Sequence, residues 1–100
     1  MSDKDVIDLV SKATGISRHR ILAQDRHDDV SCARFMVYYI LHYVNGISLN
    51  RIGKMMNRTH AAVINGITVV KTWDKENRFR DPQSIRNGAI LEELMDKIRQ

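Results

Sequence analysis

The sequence predicts an all-α fold on three observations. Its 100 residues are the size of a single domain, which we expect to span 1–100. One proline and five glycines are too few for a turn-rich β-sandwich. Apolar residues make up 43% of the chain and recur at helical spacing along most of it. We therefore expect a compact helical bundle with a central buried helix.

Two helices are predicted before the central one. Ser2 can cap a helix over roughly 3–14, because its side chain can accept a hydrogen bond from a first-turn amide, and Gly15 ends that helix. Ser17 can cap a short second helix, and the polar segment QDRHDD that follows it predicts a loop.

The third predicted helix, VSCARFMVYYILHYVN, is apolar on nearly every face. Such a helix is contacted by neighbours on several sides, so it should form the core. We expect Asp29 to cap its start and Gly46 to cap its end. Its aromatic residues are Phe35, Tyr38, Tyr39 and Tyr43. They could stack on single-stranded nucleic acid, but core packing is the preferred interpretation.

The excess of positive charge is confined to one segment. The chain has a net charge of +4, and outside residues 47–73 its basic and acidic residues balance. Within that segment there is no acidic residue, and the basic ones are Arg51, Lys54, Arg58 and Lys71. Localised positive potential is typical of a phosphate-binding surface, because each neutralised phosphate releases condensed counterions. Charge alone leaves an ordinary solvated surface as the alternative.

The same segment has the pattern of a helix-turn-helix over residues 48–73. Ser48 and Thr59 can cap two short helices, and Asn57 with Arg58 forms the turn between them. Gly53 permits a close approach. One apolar stripe on each helix would face the core: Leu49, Ile52 and Met56 on the first, and Val63, Ile67 and Val70 on the second. A purely structural helical hairpin is the alternative.

The geometry of this motif assigns roles, because its second helix lies in the major groove with its N-terminal residues at base edges. The residues that would face bases are Arg58, Thr59, His60, Ala61 and Asn65. Those that would hold phosphates are Arg51, Lys54 and Lys71. Ser48 and Asn57, at the start of the motif and in its turn, complete this predicted DNA-binding set.

A last helix is predicted over about 82–99. Asp81 and Pro82 form a cap followed by a residue favoured in a first turn. The helix has an apolar stripe of Leu91, Leu94, Met95 and Ile98. We expect this stripe to pack on its own domain, with Trp73 closing that end of the core. A homodimer through the last helix is the alternative.

No feature indicates an enzyme, a cofactor or a metal site. The four histidines show no ligand spacing with one another or with Cys32, and no nucleophile is paired with a base. The pattern G-x-x-x-x-G-K-[ST] does not occur, so we expect no nucleotide binding. The longest apolar stretch, residues 35–44, is too short for a membrane span. The single cysteine and the absence of a leader pattern predict a reducing cytoplasm.

Two strings carry a resemblance to a known family. SLNRIGKMMNRTHAAVINGI is similar to SLPEIG followed by GRDHTTVLHA, and VSCARFMVYYIL is similar to VARPRQMAMYL. Both are patterns of the C-terminal DNA-binding domain of the bacterial replication initiator DnaA, which this chain resembles over about residues 6–73. The resemblance implies a TrpR-like helical fold that binds double-stranded DNA with the second helix of the motif in the major groove. The last helix lies beyond it.

The match to this family is incomplete at the base-reading positions. Of the family's R-D-H-T-T, the chain keeps Arg58 and His60 and replaces the other three residues with Thr59, Ala61 and Ala62. We therefore expect no strong preference for the initiator's own recognition sequence. The family's basic loop before the third helix enters the minor groove. In this chain the corresponding loop retains one basic residue, Arg26, among acidic residues. The resemblance implies that Arg26 contacts DNA.

These observations predict a stand-alone double-stranded DNA-binding protein, an accessory replication or transcription factor of bacterial or phage origin. The alternative is a protein-interaction adaptor that keeps the fold and has lost specific DNA contacts. The acidic loop and the alanines at positions 61 and 62 favour that alternative.

Overall fold

The computed structural model describes residues 1–73 and 81–99. Within these ranges the chain forms α1 Asp3–Thr14, α2 Arg18–Leu22, α3 Asp28–Tyr43, α4 Leu49–Met55, α5 His60–Lys71 and α6 Pro82–Arg99. This described part contains helices and no strand, which confirms the all-α prediction. None of its helices is long and apolar enough to cross a bilayer.

α3 is the centre of the molecule, as predicted. It packs against α1, α2, α4 and α5. Its buried apolar residues are Val30, Ala33, Met36, Val37, Tyr38, Ile40 and Leu41. Gly66 on α5 allows the closest of these crossings, because a Cβ there would lie 2.6 Å from a ring carbon of Phe35 and 2.7 Å from one of Tyr38. The core therefore sets the position of α5.

Both predicted ends of α3 are wrong by a few residues. The N-cap is His27, which makes no side-chain capping bond, while the Asp29 carboxylate accepts from the neighbouring Val30 amide at 2.9 Å. At the other end α3 stops at Tyr43, and Gly46 follows with φ 70° after an irregular turn. A left-handed glycine there reverses the chain without a Cβ clash, so it acts in the connection and not as the cap.

α1 is closed at both ends by the predicted residues. Ser2 and Asp5 form a capping box: the Ser2 Oγ accepts from the Asp5 amide at 3.1 Å, and the Asp5 carboxylate accepts from the Ser2 amide at 3.1 Å. Gly15 follows with φ 76°. α1 buries Val6, Ile7 and Val10.

α6 packs on its own domain. The Asp81 carboxylate accepts from the Ser84 amide at 2.7 Å, so the predicted cap before Pro82 is confirmed. Leu94 is 1% exposed, and the other stripe residues pack partly buried against the same core. A Cβ at Gly88 would lie 2.7 Å from the Trp73 carbonyl oxygen, so α6 crosses closely over Trp73, which is buried. A homodimer through α6 would need its other face, and it stays a prediction.

Candidate nucleic-acid interface

The candidate interface is built on α4, α5 and the turn between them. Each helix begins at a hydroxyl N-cap. The Ser48 Oγ accepts from the Arg51 amide at 3.2 Å. The Thr59 Oγ1 accepts from the Ala62 amide at 3.1 Å. These bonds satisfy first-turn amides that have no partner inside their own helix, and both capping predictions are confirmed.

The turn is tight because of Asn57 and Gly53. Asn57 adopts φ 54°, a left-handed conformation that asparagine tolerates better than most residues. The Arg58 amide donates to the Gly53 carbonyl at 2.7 Å, and a Cβ at position 53 would lie 2.7 Å from the Arg58 carbonyl oxygen. The close approach predicted at Gly53 is therefore confirmed, and it is made by the turn itself.

α5 has one buried face and one exposed face. Val63, Ile67 and Val70 are buried in the core, as predicted. The opposite face, which we call the exposed strip, comprises His60, Ala61, Ile64, Asn65 and Thr68. Residues four apart on a helix lie one above the other, so these side chains form two adjacent rows from the start of α5, one at 60, 64 and 68 and one at 61 and 65. In helix-turn-helix proteins this surface enters the major groove.

The cations of α4 differ from those of α2 in their ion pairs. Arg51 and Lys54 are exposed and form no ion pair with any residue of the described ranges. The cations of α2 lie beside carboxylates instead, in the pairs Arg18–Asp8 at 3.8 Å and Arg20–Asp25 at 3.1 Å. A cation without a neighbouring carboxylate keeps its positive potential for a phosphate. The two α4 cations are therefore placed to bind an anion beside the exposed strip.

The guanidinium of Arg58 is directed at protein carbonyls. Its Nη2 donates to the Ala23 carbonyl at 2.6 Å, and its Nη1 donates to the Met56 and Asn57 carbonyls at 3.2 and 3.1 Å. This differs from the base-facing position that the sequence predicts, because the tight turn aims the side chain at the end of α2. The contact with Ala23 brings residues 23–27, the α2–α3 loop, next to the helix-turn-helix.

The α2–α3 loop is organised by Asp25. Its carboxylate accepts hydrogen bonds from the His27 amide at 3.0 Å and from Arg20 Nε at 3.1 Å, and the His27 Nδ1 lies 2.6 Å away. These bonds, first among them the one from the His27 amide, hold the pKa of Asp25 well below its usual value. Arg26 is exposed and forms no ion pair in the described part of the chain. The loop thus carries one unpaired cation.

Arg34 is the buried charge beneath this loop, and sequence analysis assigned it no role. It is 5% exposed, and its guanidinium donates to the Ile21, Ala23 and Asp25 carbonyls at 2.9, 2.8 and 3.0 Å. Burial lowers the pKa of Arg34 and repulsion from Arg58 adds to this, yet a guanidinium stays protonated. A single arginine within an apolar helix was the signal that could have revealed it.

The other titratable candidates serve the core. His42 is half-buried with its Nδ1 2.8 Å from the Ile47 carbonyl oxygen, which places it at the boundary of the core. Burial raises the pKa of the half-buried Cys32 thiol. Within residues 1–73 and 81–99, no group of three or more His, Cys, Asp or Glu could hold a metal ion.

The sequence matches the family described as bacterial DnaA protein helix-turn-helix over residues 4–70. The chain belongs to this family. It is 35% identical to the chromosomal replication initiator protein DnaA of Leptospira biflexa serovar Patoc over 66 residues, which are 66% of this chain and 15% of that protein. It is 33% identical to the DnaA of Thermotoga sp. (strain RQ2) over 94 residues, 94% of this chain and 20% of that protein. The chain therefore spans a fifth or less of these relatives.

The similarity to DnaA extends further than sequence analysis placed it. The family match ends at residue 70, but an alignment of 94 residues in a chain of 100 must include part of α6. The statement that the last helix lies beyond the resemblance is therefore wrong for the Thermotoga relative.

The departures from the DnaA pattern lie at the start of α5. Asn57, just before them in the turn, has a left-handed backbone of the kind that glycine also adopts readily. Thr59 and Ala61 are exposed, whereas Ala62 is half-buried. Ile64, which is absent from the predicted DNA-binding set, is 41% exposed one turn after His60. The spacing of four residues was the signal that places it on the exposed strip.

Lys71 is the predicted phosphate-binding residue that the structure places away from the others. It ends α5, whereas His60 begins it, so the two are separated by roughly 16 Å of helix. Its Nζ lies 5.5 Å from the centroid of the Tyr43 ring, and a hydrogen bond to Tyr43 is the main cause of its raised pKa. Tyr43 is itself 50% exposed, so the prediction that it packs in the core is wrong.

Proposed function

We propose that this chain binds double-stranded DNA through its helix-turn-helix, with α5 in the major groove. The observation that carries the proposal is the exposed strip of α5 beside the unpaired cations Arg51 and Lys54. Membership of the bacterial DnaA helix-turn-helix family supports DNA binding.

Phosphate contacts come from three places around the strip. α4 crosses the DNA backbone when the second helix enters the groove, so Arg51 and Lys54 meet phosphates there. The free amides and positive dipole end of the 12-residue α5 attract a further phosphate. Arg26, on the loop that Arg58 connects to the motif, reaches the backbone or the adjacent minor groove.

Base reading belongs to the exposed strip. Asn65 can donate to and accept from an adenine edge, and Ala61 and Ile64 can make apolar contacts with thymine methyl groups. A guanidinium on guanine, the commonest specific contact, is missing from this set because Arg58 is held by protein carbonyls. The binding is therefore influenced by sequence and favours A·T pairs, without a preference of about a thousandfold for the DnaA recognition sequence.

The role that fits this activity is an accessory factor in replication or transcription in a bacterium or in a phage that infects one. The proposed role is supported by the name of the relatives, which are chromosomal replication initiator proteins. The role requires neither enzyme activity nor a nucleotide, and the single Cys32 fits the cytoplasm where such DNA is found.

Fluorescence anisotropy with a labelled duplex over a range of salt concentrations tests the proposal. Affinity should fall steeply as salt rises, with the slope of a few phosphate contacts. The double variant Arg51→Ala/Lys54→Ala should lower that slope by about two. The control Lys4→Ala/Lys12→Ala removes the same charge from exposed positions on α1 and should leave the slope unchanged.

Two results would contradict the proposal. If the protein binds no duplex even at low salt, DNA binding is wrong and the adaptor alternative is favoured. If both double variants reduce the slope equally, the attraction is diffuse and the helix-turn-helix is not the binding surface.

A further inference from the structure

We infer that Arg58 and Arg34 clamp the α2–α3 loop against the helix-turn-helix, so that Arg26 meets DNA together with α5. The inference rests on the proposed DNA binding. It makes Arg58 a positioning residue, which acts on DNA through Arg26 and does not itself touch a base or a phosphate.

The two guanidiniums share one acceptor. The Ala23 carbonyl accepts from Arg58 Nη2 at 2.6 Å and from Arg34 Nη2 at 2.8 Å. Ala23 is the C-cap of α2, and carbonyls at a helix C-terminus carry partial negative charge and lack helical partners. Two cations at one oxygen repel each other, so each must be held there by its other bonds.

Arg34 is held from the core side. It lies on the central helix, and its remaining donors bind the Ile21 and Asp25 carbonyls. No carboxylate within the described ranges forms an ion pair with it, so carbonyl dipoles balance its charge. If the loop moved away, a buried charge would lose its hydrogen bonds at a high cost in free energy. The loop backbone is therefore fixed from beneath.

Arg58 is held from the side of the motif. Its amide donates to Gly53, and its Nη1 donates to Met56 and Asn57 within the turn. Both of its Nη atoms are thus engaged by carbonyls of the turn and of the loop. The side chain is thus a bridge between the turn and the loop.

Arg26 is the group that this bridge positions. The neighbouring carboxylate of Asp25 is engaged by Arg20 and His27, so it does not neutralise Arg26. With the loop fixed beside the turn, the one unpaired cation of the loop and the start of α5 form a single surface.

A double-mutant cycle on duplex binding tests the clamp. In the parent protein, Arg26→Ala should weaken binding and lower the salt slope by about one. Arg58→Ala should do the same, because it removes the bond between the turn and the loop, so that Arg26 is no longer held beside the start of α5. In the Arg58→Ala background, Arg26→Ala should then have little further effect, which corresponds to a coupling of about fivefold or more. Arg58→Met, which keeps most of the aliphatic stem, serves if Arg58→Ala does not fold.

Additive losses, with a slope lowered by about two in the double variant, would overturn the inference, because Arg58 would then contact DNA itself. Hydrogen exchange of the free protein supplies an arm that needs no DNA. The Ala23 and His27 amides, which are hydrogen-bonded in the loop, should exchange faster in Arg58→Ala while the amides of α1 do not. Unchanged exchange in the loop would also overturn the clamp. If the parent protein binds no duplex, the proposed function fails, and the hydrogen-exchange measurement still shows whether Arg58 holds the loop.

Discussion

α2 and α4 are both short helices with exposed basic residues, yet within residues 1–73 and 81–99 only α2 has arginines in ion pairs with carboxylates. Arg18 lies 3.8 Å from Asp8 and Arg20 lies 3.1 Å from Asp25, whereas Arg51 and Lys54 meet no carboxylate in the described part of the chain. Both acidic partners come from outside α2. The fold places carboxylates beside some cations and not others, and it thereby decides which positive charges can attract a phosphate.

The same contrast separates the arginines near the motif. Arg51 is exposed and unpaired, whereas Arg58, in the same basic segment, is engaged by three carbonyls. Arg34 is buried, and its guanidinium donates to backbone carbonyls of α2 and of the α2–α3 loop. Cations that are bonded inside the protein should affect DNA binding only through the structure that they hold, whereas unpaired cations should bind phosphates directly.

The largest expected effect is on stability. Arg34→Met should lower the free energy of unfolding by about 3 kcal/mol, because it removes the charged donor to the Ile21 and Asp25 carbonyls. The matched change Arg51→Met, at an exposed position, should alter it by less than about 0.5 kcal/mol. Urea unfolding followed by circular dichroism measures both. Similar losses in the two variants would break the contrast between bonded and unpaired cations.

The next effect concerns two lysines to which the sequence assigned the same role. Lys54→Ala should lower the slope of log affinity against log salt by about one, because it removes a phosphate contact. Lys71→Ala should leave the slope unchanged, because Lys71 lies at the far end of α5 against Tyr43. A reduced slope for Lys71→Ala would show that the interface extends along the whole helix.

A smaller effect is expected at Ile64. Ile64→Ala should reduce the preference for A·T-containing duplexes by about 1 kcal/mol, since it removes apolar contact with thymine methyl groups. Replacement of thymine by uracil removes those methyl groups from the DNA. The parent and the variant should therefore bind the uracil duplex alike in competition experiments, and a persistent difference there would exclude methyl contact as the cause.

The smallest effect is a pH dependence at Asp25. Its pKa is held below the usual value near 3.8, so its contribution to stability is complete above that pH and is lost as the pH falls below it. Asp25→Asn should lower stability at neutral pH and flatten the loss of stability on acidification. Asp28→Asn, at an exposed position nearby, is the control in acid titrations of unfolding. An acid profile of Asp25→Asn identical to that of the parent would contradict this role.

Much of the fold could be predicted from local patterns. Ser2, Ser48 and Thr59 were identified as caps because an N-cap needs only its own side chain and the following turn. The buried stripe of α5 followed from its spacing, and Gly53 from the need for close approach. The start of α3 was wrong because the Asp25 carboxylate engages the His27 amide just before the helix, a contact that capping rules do not include.

The site could be predicted less completely, because its decisive contacts join segments far apart in sequence. The bond from Arg58 to Ala23 spans 35 residues and that from Arg34 to Ala23 spans 11. Neither is visible in a spacing pattern, so Arg58 was predicted to face bases and Arg34 received no role. Lys71 shares the basic segment with Lys54, but the length of α5 separates them.

Amide chemical-shift mapping of the protein on titration with a short duplex shows directly whether α5 and the surfaces beside it bind DNA. We expect the largest perturbations at the start of α4, along the first half of α5 and in the α2–α3 loop, and little change in α1 and α6. Perturbations concentrated on α1 and α6, with α5 unchanged, would contradict this expectation.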